Sequence, residues 1–188
     1  MKKRFLTLLA FGAMIMSATA ETFKVPATEK YPYYYSVDVP DGNYRVTVVL
    51  GSKKKNTETC VRAENRRLFE QKVVLKKGQT QTFSFIVNKR SVEIPAYIKG
   101  GKERPASKVR IKPGEVGSFS WDDKLTLEFN GCAPCVQSIT VEPDTTALTV
   151  FLCGNSTVVD QGKEPWASWG QIIPMWFNDK IAVCNVAE

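Results

Sequence analysis

The sequence predicts an all-β sandwich, jelly-roll-like in its strand count, followed by the first βαβ unit of an α/β domain. Three observations carry this reading. Apolar alternations of period two recur at even spacing from Tyr35 to Glu142, separated by clusters of Gly, Pro, Asp and Lys. No segment in that region keeps a helical period of useful length. After Glu142 the pattern changes: Leu148-Thr-Val-Phe-Leu-Cys153 is a near-continuous apolar run that stops at Gly154, and tryptophans then recur three or four residues apart. A continuous apolar run is what a buried parallel strand shows.

The N-terminal residues stand apart from the fold. Lys2-Lys3-Arg4 is basic, Phe5 to Met16 is apolar, and Ala18-Thr19-Ala20 supplies small residues for cleavage. Residues 1–20 therefore read as a signal peptide, which implies export to the periplasm or the external medium. The apolar run is shorter than the roughly 20 residues that a bilayer span requires, and no later segment is long and apolar enough. No membrane span is expected. The net charge is +7 with 26 basic residues, three of which belong to the leader, leaving about +4 on the rest. The Lys and Arg are scattered, with short clusters at Lys53-Lys54-Lys55 and Lys76-Lys77. A nucleic-acid surface needs a concentrated basic stripe, so no nucleic-acid partner is expected. The sign does suit a mild attraction to an acidic polymer such as a uronic-acid polysaccharide.

The sandwich is expected over residues 21–145. Tyr33-Tyr34-Tyr35 could stack on a sugar or pack at a strand edge. Tyr35–Val39 and Tyr44–Leu50 alternate on either side of the turn Pro40-Asp41-Gly42-Asn43. Strands follow at Thr59–Ala63, Arg67–Leu75 and Thr80–Val87, the last with Phe83, Phe85 and Val87 on one face. Residues 88–107 read as an irregular surface excursion. Lys108–Ile111, Lys124–Phe129 and Val136–Glu142 complete the series. Asp122 and Asp123 are too few carboxylates for a calcium site, and a solvated turn is the plainer reading. Cys132-Ala-Pro-Cys135 has redox-motif spacing, but no βαβ unit precedes it, so a local disulfide or two free thiols is the plainer reading; one CxxC supplies only two zinc ligands. Cys153 and Cys184 fall in apolar runs and are expected as buried small hydrophobes. No metal or cofactor is expected.

Glu142-Pro143-Asp144-Thr145-Thr146 is a turn-rich linker, and residues 146–188 form the second unit. Its elements are the strand Leu148–Cys153, a loop to Glu164, a helix opened by Pro165, and a second strand at Ile181–Val186. Trp166, Trp169, Ile173 and Trp176 would share one helical face, with Pro174 kinking or dividing the helix. One such unit cannot bury both faces of its sheet, so the chain reads as the beginning of a larger domain, truncated after Glu188. Ser156 lies just past the strand-terminating Gly154, at the edge where open α/β sheets place their ligands. It is a candidate nucleophile, although a serine there can equally serve a turn. The sequence has no histidine, so these residues cannot complete a Ser-His-Asp triad by themselves.

Two resemblances extend this reading. Tyr35-Ser-Val-Asp-Val-Pro-Asp-Gly-Asn-Tyr-Arg-Val-Thr-Val-Val-Leu-Gly51 resembles the V-P-x-G-x-Y-x-V hairpin of galactose-binding-like and malectin-like sandwiches, and Trp121–Phe129 resembles their penultimate strand. Thr149–Gly170, with Gly154-Asn155-Ser156-Thr157 and Trp169-Gly170, resembles the first block of SGNH (GDSL-type) hydrolases, particularly rhamnogalacturonan acetylesterases. Asn185–Glu188 resembles the approach to the second block. The resemblance implies a flavodoxin-like SGNH domain of which 146–188 is the N-terminal fragment. It implies an exported carbohydrate esterase that removes acetyl groups from pectic polysaccharide. Ser156 would be the nucleophile, with Gly154, Asn155 and the Ser156 N–H forming the turn and one oxyanion donor. A block-two Gly and a block-three Asn would supply further donors, and a His in a late Asp-x-x-His motif the base. Asn155 stands where the motif has Asp. The 188 residues alone are expected to be inactive. The alternative is a secreted carbohydrate-binding sandwich without catalysis, binding through Tyr33–Tyr35 or the Trp121 region; a sandwich with no ligand is a third reading.

Overall fold

The structure, a computed structural model, describes residues 20–25 and 30–187. The expected leader, apart from Ala20, lies outside the described residues. The first strands are β1 (Glu21–Lys24), β2 (Tyr33–Asp38), β3 (Gly42–Gly51), β4 (Thr57–Ala63), β5 (Arg67–Leu75) and β6 (Thr80–Lys89). Four short strands follow: β7 (Glu93–Ile94), β8 (Tyr97–Lys99), β9 (Lys102–Arg104) and β10 (Ser107–Lys108). Two long ones, β11 (Lys124–Ala133) and β12 (Val136–Pro143), complete this part.

They build two antiparallel four-stranded sheets, ordered β1-β12-β3-β6 and β2-β11-β4-β5. Period-two alternation puts Tyr44, Val46, Val48 and Leu50 of β3 inward. They share one buried cluster with Leu125, Leu127 and Phe129 of β11 and with Ile139. Phe69 of one sheet stacks on Phe85 of the other, ring centroids 4.4 Å apart. Each such side chain contributes on the order of 1.5–3 kcal/mol by leaving water. The molecule is therefore a β-sandwich, as its alternation predicts.

One glycine is required by the sheet. The register of β11 against β4 shifts between Asn130 and Ala133, and Gly131 sits in that bulge at φ +128°. A Cβ there would lie 2.5 Å from the Glu58 carbonyl oxygen. Only glycine meets both conditions.

Several expectations need correction in this half and the next. The strand at Lys108–Ile111 ends at Lys108 and gives way to a 3-10 turn at Pro113–Glu115. Residues 88–107 are not irregular: β6 continues to Lys89, and the excursion beyond it folds as two small ribbons, β7 with β10 and β8 with β9. Their side chains are exposed throughout. With no core to face, these strands carry no apolar alternation to betray them.

The C-terminal segment holds β13 (Leu148–Leu152), the one-turn helix α1 (Trp169–Ile172), a 3-10 turn at Ile173–Trp176, and β14 (Ile181–Asn185). β13 and β14 pair in parallel, Leu148 opposite Ile181 and Leu152 opposite Asn185. β14 lies against β6, and the helical turns lie against β5. The segment thus covers the side of the sandwich where the edge strands of both sheets meet. No helix among the described residues is long and apolar enough to cross a membrane.

Here burial departs from expectation. The helix begins at Trp169, not Pro165, because Ser168 caps it: its Oγ accepts from the Gln171 N–H at 3.1 Å. Its buried residues are Gly170 and Gln171. Trp166, Trp169 and Trp176 are 69%, 51% and 76% exposed, so the tryptophan face does not pack on the sandwich. β13 is likewise no buried strand, with Leu148 72% and Phe151 66% exposed. The physical reason is position: β14 takes the sandwich side and leaves β13 outermost. Cys184 on β14 is accordingly buried and Cys153 beyond β13 is exposed; all five cysteines are free thiols.

Candidate functional site

Ser156 lies in the turn that leaves the carboxyl end of β13, and it is exposed. The turn is built locally. Asn155 Oδ1 accepts from the Thr157 N–H at 3.1 Å and from Thr157 Oγ1 at 2.9 Å, an Asx turn. The Asn155 carbonyl accepts from Val158 N–H at 2.8 Å and Val159 N–H at 3.1 Å. An uncharged amide oxygen thus serves the turn at this position. Gln161 Nε2 donates to the Ser156 carbonyl at 3.1 Å. The Ser156 hydroxyl has no hydrogen-bond partner among the described residues.

Behind the turn, the chain is held by residues that sequence reasoning missed. Asn185, 1% exposed, donates from Nδ2 to the Val158 carbonyl at 2.6 Å and to Asp160 Oδ1 at 2.7 Å. Its own Oδ1 accepts from Ala187 N–H at 3.2 Å. Ser168 Oγ donates to the same Val158 carbonyl at 3.0 Å. Gly170 permits this approach, since a Cβ there would lie 2.2 Å from the Val158 oxygen. The Trp-Gly pair therefore has a steric reason. The helix start packs directly on the backbone of the Ser156 loop.

A buried ionic cluster joins this loop to the sandwich. Arg67, 1% exposed, donates from Nη1 to the Val183 carbonyl at 2.8 Å and from Nη2 to the Asn88 carbonyl at 3.0 Å. Its guanidinium also lies 3.4 Å from Asp160 and 3.7 Å from Glu64. Burial pushes the Glu64 carboxyl up to about 7, against the pull of Arg67 and of the Thr126 N–H. Burial likewise raises Asp160, opposed by Arg67 and Asn185. Arg90 beside them is lowered by burial and by the neighbouring Arg67. Arg67 is legible in sequence only as the first residue of a strand; nothing local signals that its partners lie far along the chain.

Two clefts flank the loop that follows Ser156. The larger, about 650 Å³, lies between residues 112–119 of the sandwich and 159–166. The smaller, about 360 Å³, is lined by Tyr31, Tyr34, Arg62, Arg66 and Glu164 among others. Glu164 joins the two walls, 3.0 Å from Arg62 and 2.6 Å from Arg66. Of the tyrosine cluster, Tyr34 is 47% exposed and packs against Phe119, while Tyr33 stacks on the core residue Phe129. Trp121 is covered by the Arg90 guanidinium, 4.5 Å from the ring centroid. Asp122 serves a turn by accepting from Lys124 N–H at 3.0 Å, and no metal-ligating cluster occurs among the described residues.

No family model matches the chain, and no curated protein matches it. Among solved structures, the protein YxiM from Bacillus subtilis is similar over 82% of this chain at 21% identity, with a TM-score of 0.31. The chain spans 36% of the length of that protein.

Proposed function

We propose that this chain is part of an exported serine esterase of the SGNH class that deacetylates pectic polysaccharide, with residues 146–188 as the start of its catalytic domain and residues 21–145 as its sandwich. The observation that carries the reading is the placement of Ser156. It is exposed, it follows a strand paired in parallel, and its loop is braced by Asn185, Ser168 and Gly170. A preorganised turn at a parallel strand end is where a nucleophile and its oxyanion donors can be held together. The serine hydroxyl would attack the acetyl carbonyl, its proton passing to a general base. The sequence has no histidine, so these residues supply no imidazole for that role.

The coding sequence downstream is the first test: a Gly-x-Asn-Asp and a late Asp-x-x-His support the reading, and a stop codon after Glu188 defeats it. In the product of the full reading frame, Ser156→Ala should abolish acetate release from acetylated pectin; retained release would sink the assignment.

A second reading is a carbohydrate-binding sandwich without catalysis. The exposed Tyr34 ring beside Arg62 and Arg66 favours it. Retardation of the chain in a pectin affinity gel, lost in Tyr34→Ala, is the result that supports it.

A further inference from the structure

The larger cleft combines features that no single element of the chain explains. One wall comes from residues 112–119 of the sandwich and carries Lys112 and Phe119; the other comes from residues 159–166 and carries Gln161, Lys163 and Trp166. Trp166 is 69% exposed and Phe119 38%. Neither ring is needed for the core cluster. The second wall is continuous with the Ser156 turn, because Val159 N–H donates to the Asn155 carbonyl and Gln161 donates to the Ser156 carbonyl. It is also firmly seated on the sandwich. Arg66 donates to the carbonyls of Gln161 and Trp166 at 3.0 and 3.1 Å, and Asn65 Nδ2 donates to that of Asp160 at 2.8 Å. The cleft is a built feature and not a gap between loose loops.

We infer that this cleft binds an acidic oligosaccharide, with the Trp166 and Phe119 rings against sugar faces and Lys112 and Lys163 pairing with uronate carboxylates. A sugar presents an apolar C–H face and a polar rim. An open cleft with aromatic surface, amide groups and two ammonium groups matches that pattern. A single-stranded nucleic acid could also stack and pair with lysines. Glu115 lines the same cleft, however, and a backbone with a phosphate at every unit would meet its carboxylate. A uronate chain can offer hydroxyls there instead. The inference rests on the esterase reading for its purpose, which is to lead substrate past Ser156. It makes the sandwich part of the substrate site.

The test is a titration of the 188-residue chain with a galacturonate oligomer, followed by tryptophan fluorescence and calorimetry. A neutral galactose oligomer and an oligothymidylate of equal length run alongside. The expected result is saturable binding of galacturonate that weakens as salt rises. The neutral oligomer and the nucleotide should bind about tenfold or more weaker. Trp166→Ala and the pair Lys112→Glu with Lys163→Glu should each weaken galacturonate binding about tenfold or more, with unchanged circular dichroism. Absence of binding, equal binding of either control oligomer, or variants that bind like the parent would overturn the inference. Binding is read here without turnover. Loss of binding with intact acetate release removes the cleft alone, and intact binding without acetate release removes the nucleophile alone.

Discussion

Glu64 and Thr126 bond each other twice. The Glu64 N–H donates to the Thr126 carbonyl at 2.7 Å, and the Thr126 N–H donates to Glu64 Oε1 at 2.9 Å. The side chain extends the pairing of β4 with β11 by one residue, and the chain reverses there with Glu64 at φ +54° and Arg66 at φ +66°. These are uncommon angles for residues with a Cβ, so the reversal is held by its partners and not by local preference.

Burial of Glu64, opposed by Arg67 and the Thr126 N–H, makes stability depend on pH. The folded Glu64 carboxyl, raised to about 7 from 4.5, binds its proton more tightly than the unfolded chain does. Its contribution is fully present below about pH 4.5 and is lost as pH rises through 7. Each tenfold tightening of proton binding on folding is worth about 1.4 kcal/mol. Glu64→Gln, which keeps the shape and cannot ionise, should therefore flatten the fall in thermal midpoint between pH 5 and 8. Parallel melting curves for the two proteins across that range would refute the role.

Asp144 works in the opposite direction. Burial raises its carboxyl, but bonds from Thr146 N–H, Thr146 Oγ1, Ala147 N–H and Arg45 outweigh that and hold it at about 2. This stabilisation is present above about pH 3.8 and disappears as pH falls through 2. Asp144→Ala should cost about 1–3 kcal/mol at neutral pH and little in strong acid, read by denaturant unfolding at each pH.

Gly170→Ala should displace the helix start from the Val158 carbonyl. The expected cost is about 1–3 kcal/mol, as for other overpacked positions. Gly114→Ala is the control, because nothing lies within 4 Å of its would-be Cβ. The two variants should differ in thermal midpoint, with a change in tryptophan emission only in Gly170→Ala.

Ser156→Ala should leave stability within about 0.5 kcal/mol of the parent, since the side chain is exposed. Under the proposed esterase function, acetate release by the full reading-frame product should vanish. A stability loss as large as that of Gly170→Ala would mark Ser156 as structural.

How much of this is legible in the sequence follows from where the signal lives. β3 reads clearly because it alternates against a buried core, and β6 because Phe83, Phe85 and Val87 recur at period two, although Phe85–Lys89 are all buried. Ser156, Gly154 and Asn155 read as a turn after a strand because their interactions are local. The tryptophans mislead, since a helical spacing says nothing about which side meets the sandwich. Arg67, Asp160 and Asn185 are silent because a polar residue buried by distant segments carries no periodic mark. The expected linker at 142–146 reads as loose, yet the Asp144 carboxylate anchors it.

That anchor extends further along the chain. Arg45 of β3 pairs with Asp144 at 2.7 Å and with Asp179 at 2.8 Å, and donates to the Asp179 carbonyl at 3.0 Å. One guanidinium therefore gathers the residue that precedes β13 and a residue that precedes β14. Everything between them, β13 and the helical turns included, is one excursion of the chain drawn closed at its neck. A protease that nicks this excursion should leave both new ends tied to the same side chain, so the cut would show on a denaturing gel while the native molecule migrates as one piece.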